Sequence, residues 1–189
     1  MNLVFLQRPL AYVPYLDNRR PEDINLVVVH CTELPDLSMA RDYGEKVHYP
    51  DTQTGNSGHF YIDRDGSIEQ WVPLDRVAHH VRGFNPQSIG IEMVNSGRYP
   101  NWFHSSHQVM SERYTDKQIK ALVDLLNHLQ TTLPNLNNIA GHEDLDTGMI
   151  PSEDKPGIMI RRKLDPGLLF PWSELMKQIT FQRLVAEDL

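Results

Sequence analysis

The chain has 189 residues, of which 40% are hydrophobic and 23% are charged, the size and balance of one globular domain. Its net charge of -7 makes nucleic acid an improbable partner, since proteins that grip phosphate backbones normally carry the opposite sign. No apolar run reaches the roughly 18–20 residues that span a bilayer, and the single cysteine, Cys31, excludes an intramolecular disulfide and a zinc ribbon.

The first half of the chain predicts a mixture of strands and irregular segments. A β-branched run bounded by polar residues is typical of a buried strand, and the turn Arg64-Asp65-Gly66 favours a hairpin. In chain order we expect an irregular lead-in (1–23), a buried strand (Ile24–His30), an ambiguous stretch with room for a short helix (35–50), and two hairpin strands (His59–Asp63 and Ser67–Val72).

The second half adds one strand with two distinct faces and one well-marked helix. In Ser88–Val94 the strand period turns Ile89, Ile91 and Met93 to one side and Gly90 and Glu92 to the other. Beyond it we expect a polar loop (95–114), a helix with a Thr115–Gln118 capping box that Pro134 ends, a short strand (Ile139-Ala140), a loop (146–155), and a last helix from Pro171 whose apolar stripe includes Ile179. This pattern predicts an α/β fold with a single mixed central β-sheet and helices packed on it.

Three polar residues stand where a purely structural sequence would not place them. His30 ends the most hydrophobic strand, His142 follows the short apolar stretch Ala140-Gly141, and Asp165 lies in a turn-forming loop. Two imidazoles and one carboxylate are a ligand set that leaves a fourth zinc position for water. From the residues alone, a hydrogen-bonded core histidine is the commoner interpretation of a histidine at a strand end.

Five short segments, in order, resemble the type 2 N-acetylmuramoyl-L-alanine amidases, whose superfamily also contains the peptidoglycan recognition proteins. The segments are Val27–Thr32, Gly58–Gly66, Ser88–Glu92, Ala140–Asp144 and Arg162–Gly167, with Leu169–Trp172 following the last. The resemblance implies a zinc amidase domain over residues 24–180 and leaves 181–189 as a C-terminal tail.

Carried over residue by residue, the resemblance implies that His30, His142 and Asp165 bind zinc. It implies that Glu92 is the catalytic acid and base and that Lys163 stabilises the developing oxyanion. Without the resemblance, Glu92 reads as a solvated strand residue and Lys163 as a surface charge. The implied reaction is hydrolysis of the amide between N-acetylmuramic acid and L-alanine in peptidoglycan or muropeptides. The alternative is a module that binds cell-wall fragments without cutting them.

Weaker signals indicate where a substrate lies. His80 matches a family histidine near the substrate cleft, Trp102 has a ring that could stack on a sugar, and Arg162 could pair with stem-peptide carboxylates. Each has a structural alternative: surface polarity for His80, anchoring of the loop for Trp102, and a solvated charge for Arg162. His59 is interpreted as an interior hydrogen-bonded residue rather than a fourth ligand.

Two features depart from the family pattern, and the N-terminal sequence indicates the cellular location. Gly58 occupies a position where some lytic members carry a tyrosine, which leaves the proton transfers to Glu92. The long segment between His142 and Asp165 either walls the cleft or is a surface excursion. The first twenty residues lack a basic region before their apolar patch, which predicts no signal peptide and favours a cytoplasmic location, with export as the alternative for a processed chain.

Overall fold

The computed structural model describes residues 3–188. Residues 1 and 2, which begin the predicted lead-in, and residue 189, which ends the predicted tail, lie outside the described residues. The strands are β1 (Leu6–Gln7), β2 (Leu26–Cys31), β3 (Phe60–Ile62), β4 (Ile68–Gln70), β5 (Ser88–Met93), β6 (Asn138–Gly141), β7 (Met149–Pro151), β8 (Met159–Arg161) and β9 (Gln182–Arg183). The α-helices are α1 (Leu37–Gly44), α2 (Asp116–Thr132), α3 (His142–Leu145) and α4 (Trp172–Leu175), and 3-10 turns cover Val13–Tyr15, Pro21–Asp23, Asn85–Gln87 and Ala186–Asp188.

A seven-stranded mixed sheet in the order β1-β4-β3-β5-β2-β6-β9 forms the centre of the fold. Only the predicted hairpin, β3 with β4, pairs antiparallel; the other neighbours in this sheet are parallel. The expected α/β architecture with one mixed central sheet is therefore confirmed. The outer strands β1 and β9 come from the predicted lead-in and tail, so both segments extend the same sheet.

Helix α2 covers one face of the sheet. The Thr115 hydroxyl accepts from the Gln118 backbone N–H, and the Gln118 side chain accepts from the Thr115 N–H, as the capping box predicts. The apolar face of α2 packs against Ile89, Ile91 and Met93 of β5 in the largest core cluster. Because side chains alternate across a strand, Glu92 is left on the opposite face.

Two predictions about the last third of the chain are wrong. The expected loop at 146–155 contains β7, which pairs antiparallel with β8 in a separate two-stranded sheet. The expected last helix ends at Leu175, and Ile179 lies beyond it although its side chain is buried. In both places long-range packing of a short segment overrides a weak local pattern. None of the helices within 3–188 combines the length and apolar character needed to cross a membrane.

Candidate active site

Two neighbouring parallel strands bring His30 and His142 together. His30 lies near the carboxyl end of β2, and His142 is the first residue of α3, directly after β6. Since β2 and β6 pair in parallel, their carboxyl ends meet at one edge of the sheet, where open α/β sheets place their ligands. Asp165 reaches this edge from a later loop, and its carbonyl accepts from the Glu143 N–H at 2.9 Å.

The three predicted ligand atoms form a nearly equilateral triangle. Nδ1 of His30 lies 3.0 Å from Nδ1 of His142 and 3.0 Å from Oδ2 of Asp165, and the third side, from His142 Nδ1 to Asp165 Oδ2, is 3.1 Å. Zinc bonds of about 2.0–2.1 Å at tetrahedral angles separate neighbouring ligand atoms by about 3.3 Å. All three side chains are buried. The triangle therefore has the size that a tetrahedral zinc ion needs.

A chain of hydrogen bonds determines which nitrogen of His30 carries its proton. His30 Nε2 lies 3.0 Å from Nδ1 of His80, and His80 Nε2 lies 3.1 Å from the Ser88 hydroxyl. That hydroxyl donates to the Phe84 carbonyl at 2.8 Å. A carbonyl only accepts, so each group of the chain donates toward Phe84 and His30 carries its proton on Nε2. Its Nδ1 lone pair is left to face the other two ligand atoms.

The protonation states of His30 and Asp165 suit a metal ion. Burial, followed by the charge of His142, lowers the pKa of His30 to about 4. Burial alone would raise the pKa of Asp165, but the imidazoles of His142 and His30 hold it well below its ordinary value. Oδ1 of Asp165 is buried and has no hydrogen-bond partner among the described residues. A neutral imidazole and an ionised carboxylate are the ligand forms that bind metal, so the residues present fit zinc.

Glu92 sits beside the triangle on the adjacent strand. It is the register partner of His30 in the β2–β5 pair, and its Oε1 lies 4.0 Å from His30 Nδ1. Burial, assisted by the charge of Asp165, raises the pKa of Glu92 to about 8, although a cation held nearby would lower that pKa again. A Cβ on Gly58 would lie 2.9 Å from Glu92 Cγ, so this glycine makes room for the carboxylate.

A cavity of about 910 Å³ opens onto the triangle. Lys163 and Glu92 line it together with the three predicted ligands, and the positive charge of Lys163 acts to lower the pKa of Glu92. Other parts of the lining come from segments that the sequence analysis left without a role. They are Tyr43-Gly44, His48–Thr52, Asn56-Ser57 and Glu33-Leu34.

The three predicted substrate contacts have different surroundings. His80 lines the cavity, and its ring also supports His30. Arg162 lines the cavity and forms an ion pair with Asp146. Trp102 is not among the cavity-lining residues of the described chain, and its indole N–H donates to the Glu33 carbonyl at 2.9 Å. Trp102 is therefore held as a loop anchor, the alternative considered for it.

Two further features of the sequence analysis have an outcome. His59 is fully buried, accepts from the Gly90 N–H through Nδ1 and lies 2.7 Å from Arg19 through Nε2, so its interpretation as an interior hydrogen-bonded residue is confirmed. In the long segment between the second and third predicted ligands, Arg162 lines the cavity, and the β7–β8 hairpin lies outside the lining.

Sequence comparison finds known proteins that are similar to this chain. Residues 19–168 match the sequence model of the N-acetylmuramoyl-L-alanine amidase family. A Haemophilus influenzae protein named 1,6-anhydro-N-acetylmuramyl-L-alanine amidase AmpD is 27% identical over 88% of this chain and 89% of its own length. An endolysin of Enterobacteria phage K11 is 31% identical over 51% of this chain and 58% of that protein.

Solved structures show the same fold. A selenomethionine derivative of AmpD superposes with a TM-score of 0.65 at 27% identity, covering 95% of this chain and 97% of that one. Escherichia coli AmiD, in complex with the substrate anhydro-N-acetylmuramic acid-L-Ala-D-gamma-Glu-L-Lys, gives 0.61 at 24% identity over 85% and 59% of the two chains. Bumblebee PGRP-SA gives 0.61 at 14% identity over 96% and 98%, a likeness of fold alone.

Proposed function

We propose a specific reaction for this chain, which belongs to the N-acetylmuramoyl-L-alanine amidase family, type 2, and is an amidase. The reaction is zinc-dependent hydrolysis of the amide that joins the lactyl group of N-acetylmuramic acid to L-alanine of a muropeptide. One observation carries the proposal. His30, His142 and Asp165 converge to a triangle of zinc dimensions, in a cavity that also holds the carboxylate of Glu92 and the ammonium of Lys163.

The metal would be held by Nδ1 of His30, Nδ1 of His142 and Oδ2 of Asp165. When bound in such a three-ligand site, zinc lowers the pKa of a water molecule to about 7 and polarises a carbonyl oxygen. The His80 ring keeps the His30 proton on Nε2, away from the metal side. The ionised Asp165 supplies negative charge to balance the cation.

The residues around the triangle divide the remaining chemistry. Glu92 takes a proton from the attacking water as the new carbon–oxygen bond forms, and it gives a proton to the amine as the carbon–nitrogen bond breaks. Lys163 stabilises the negative charge that develops on the former carbonyl oxygen. These interactions are strongest in the tetrahedral species, so they lower the barrier rather than only binding the substrate.

The names of similar proteins support a muropeptide substrate. The Haemophilus influenzae relative is named for a 1,6-anhydro-N-acetylmuramyl substrate, and AmiD was solved with an anhydro-muropeptide. We propose such fragments as the first substrates to test and intact peptidoglycan as the second. A role in muropeptide recycling and a cytoplasmic location remain predictions.

The second candidate function is a module that binds cell-wall fragments without cutting them. PGRP-SA shares the fold, so fold alone does not decide between the two functions. Binding requires neither a half-buried carboxylate beside the triangle nor an ammonium in the same cavity. The presence of Glu92 and Lys163 with all three predicted ligands favours catalysis.

The decisive experiment is mass spectrometry of products from a panel of muropeptides and intact peptidoglycan. We expect release of the free stem peptide and the free sugar acid, loss of this activity in a chelator, and its return with zinc. His30→Ala should lose the metal as measured by elemental analysis. Binding of muropeptides without any cleavage by the zinc-loaded protein would contradict the proposed reaction and support the binding module.

A further inference from the structure

Arg98 is a buried residue that is not among the predicted site residues, and all five of its guanidinium N–H groups have acceptors. Nε and Nη2 donate to the two carboxylate oxygens of Glu33 at 2.6 and 2.8 Å. Nη1 donates to the Gln108 side chain at 3.1 Å and to the Arg161 carbonyl at 3.2 Å, and Nη2 also donates to the Arg162 carbonyl at 3.3 Å. A guanidinium with only 3% of its residue exposed is thus fixed in place by three separate segments.

Glu33, the partner of Arg98, adopts a backbone conformation that its surroundings impose. Its φ is 49°, in the left-handed region that residues other than glycine rarely adopt. Its carboxylate accepts from the Arg98 backbone N–H at 3.2 Å, and its carbonyl accepts from the Trp102 indole. A Cβ on Gly97 would lie 2.6 Å from Glu33 Cγ, so glycine is required beside it. Such strain persists only where the structure around it holds it, and it clusters at functional sites.

The ends of this network lie next to the predicted metal ligands in the chain. Glu33 follows His30 by three residues, and the two carbonyls that Arg98 grips belong to the residues directly before Lys163. We propose that Arg98, locked by Glu33, is a positioning residue that sets the separation between the segment after His30 and the segment that carries Lys163 and Asp165. This inference rests on the proposed function, because it concerns the geometry of that site.

Only arginine has the shape for this role. The planar guanidinium spans a carboxylate and two carbonyls at once, whereas the lysine ammonium is a compact point charge with three donors. Arg98→Lys keeps the positive charge near Glu33, but a lysine ammonium cannot also donate hydrogen bonds to both carbonyls. The loop before Lys163 is then free to shift, and metal affinity and the placement of the ammonium change together.

Arg64 provides a matched control. It makes the same paired contacts to a glutamate, at 2.6 and 3.0 Å to Glu112, and it donates to the Pro35 carbonyl at 2.7 Å. None of its hydrogen bonds reaches residues 161–165. Arg64→Lys therefore disturbs an arginine–glutamate pair of the same kind without touching the loop that carries two of the proposed site residues.

The test uses full-length protein loaded with Co²⁺, whose visible absorption reports ligand geometry. Arg98→Lys and the milder Glu33→Gln should bind Co²⁺ and zinc about 10- to 100-fold more weakly, the effect usual for groups that orient metal ligands. Their Co²⁺ spectra should change, and kcat of Arg98→Lys should fall more than its KM changes. Arg64→Lys should keep the wild-type affinity and spectrum even if its melting temperature falls.

The outcomes separate this inference from the proposed function. If Arg98→Lys and Glu33→Gln are less stable but keep the wild-type Co²⁺ affinity and spectrum, the network is only structural and the inference is wrong. If Arg98→Lys does not fold, Glu33→Gln decides by the same two measurements. If the wild-type protein binds neither Co²⁺ nor zinc, the proposed function fails and this inference fails with it.

Discussion

The hydrogen-bonded chain behind His30 gives the sharpest prediction about metal binding. His80→Ala removes the acceptor of the buried His30 Nε2–H, which His80 Nδ1 contacts at 3.0 Å. With metal on Nδ1, that proton must stay on Nε2 and lacks a partner. Without metal, the ring is free to move the proton to Nδ1, where the Asp165 carboxylate lies 3.0 Å away. The substitution therefore penalises the metal-bound state selectively.

The size of the effect follows from the cost of that lost partner. A buried donor without an acceptor costs about 1–3 kcal/mol. Since about 1.4 kcal/mol corresponds to a factor of ten in affinity, zinc should bind about 5- to 150-fold more weakly to His80→Ala. A water molecule entering the space left by the ring would bring the effect toward the lower end of this range.

The assay is competition for zinc with a chromophoric chelator, at fixed pH and ionic strength. His80→Asn restores an acceptor close to the position of Nδ1 and should recover part of the affinity. His79→Ala is the control, because its ring contacts Tyr49 at a centroid distance of 5.5 Å rather than His30. An unchanged zinc affinity in His80→Ala would show that the chain does not determine the His30 tautomer.

Three further predictions concern the proposed base, its packing and a distant ion pair. Glu92→Gln should lower kcat by about 10²–10⁴-fold, and normal turnover would refute the base assignment. Zinc content by elemental analysis and melting temperature should stay at least at wild-type values, since the substitution removes a half-buried carboxyl whose pKa is raised. Gly58→Ala should lower kcat without loss of zinc because its Cβ meets Glu92 Cγ at 2.9 Å, and Gly157→Ala, whose Cβ meets nothing within 4 Å, should behave as wild type in the same assays. Partial burial alone would raise the pKa of Glu112, but hydrogen bonds from Arg64 and a backbone N–H lower that pKa below 4.5. The contribution of Glu112 to stability is therefore complete above its unfolded-state pKa and is lost as the pH falls. Glu112→Gln should flatten the fall in unfolding free energy on the acid side of pH 4.5, and an unchanged slope would contradict this.

Local chemistry made several elements readable from the sequence. The capping box at Thr115 and Gln118 and the helical spacing behind it act over a few residues, so they predict α2 without knowledge of the rest of the fold. The alternation in Ser88–Val94 likewise predicts that Glu92 leaves the apolar face. The identity of the family depended on the order of five short segments, because each of them alone is common.

Only the tertiary structure brought the remaining features together. Arg98 and Glu33 are 65 residues apart, and neither belongs to a periodic pattern that marks it. The chain from His30 through His80 to Ser88, and the placement of Trp102 against the Glu33 carbonyl outside the cavity lining, depend on how loops pack on the sheet. Periodicity and capping are short-range and are therefore encoded in neighbouring residues. Contacts between distant loops are decided by the shape and polarity of the whole packed interior, which no local pattern carries.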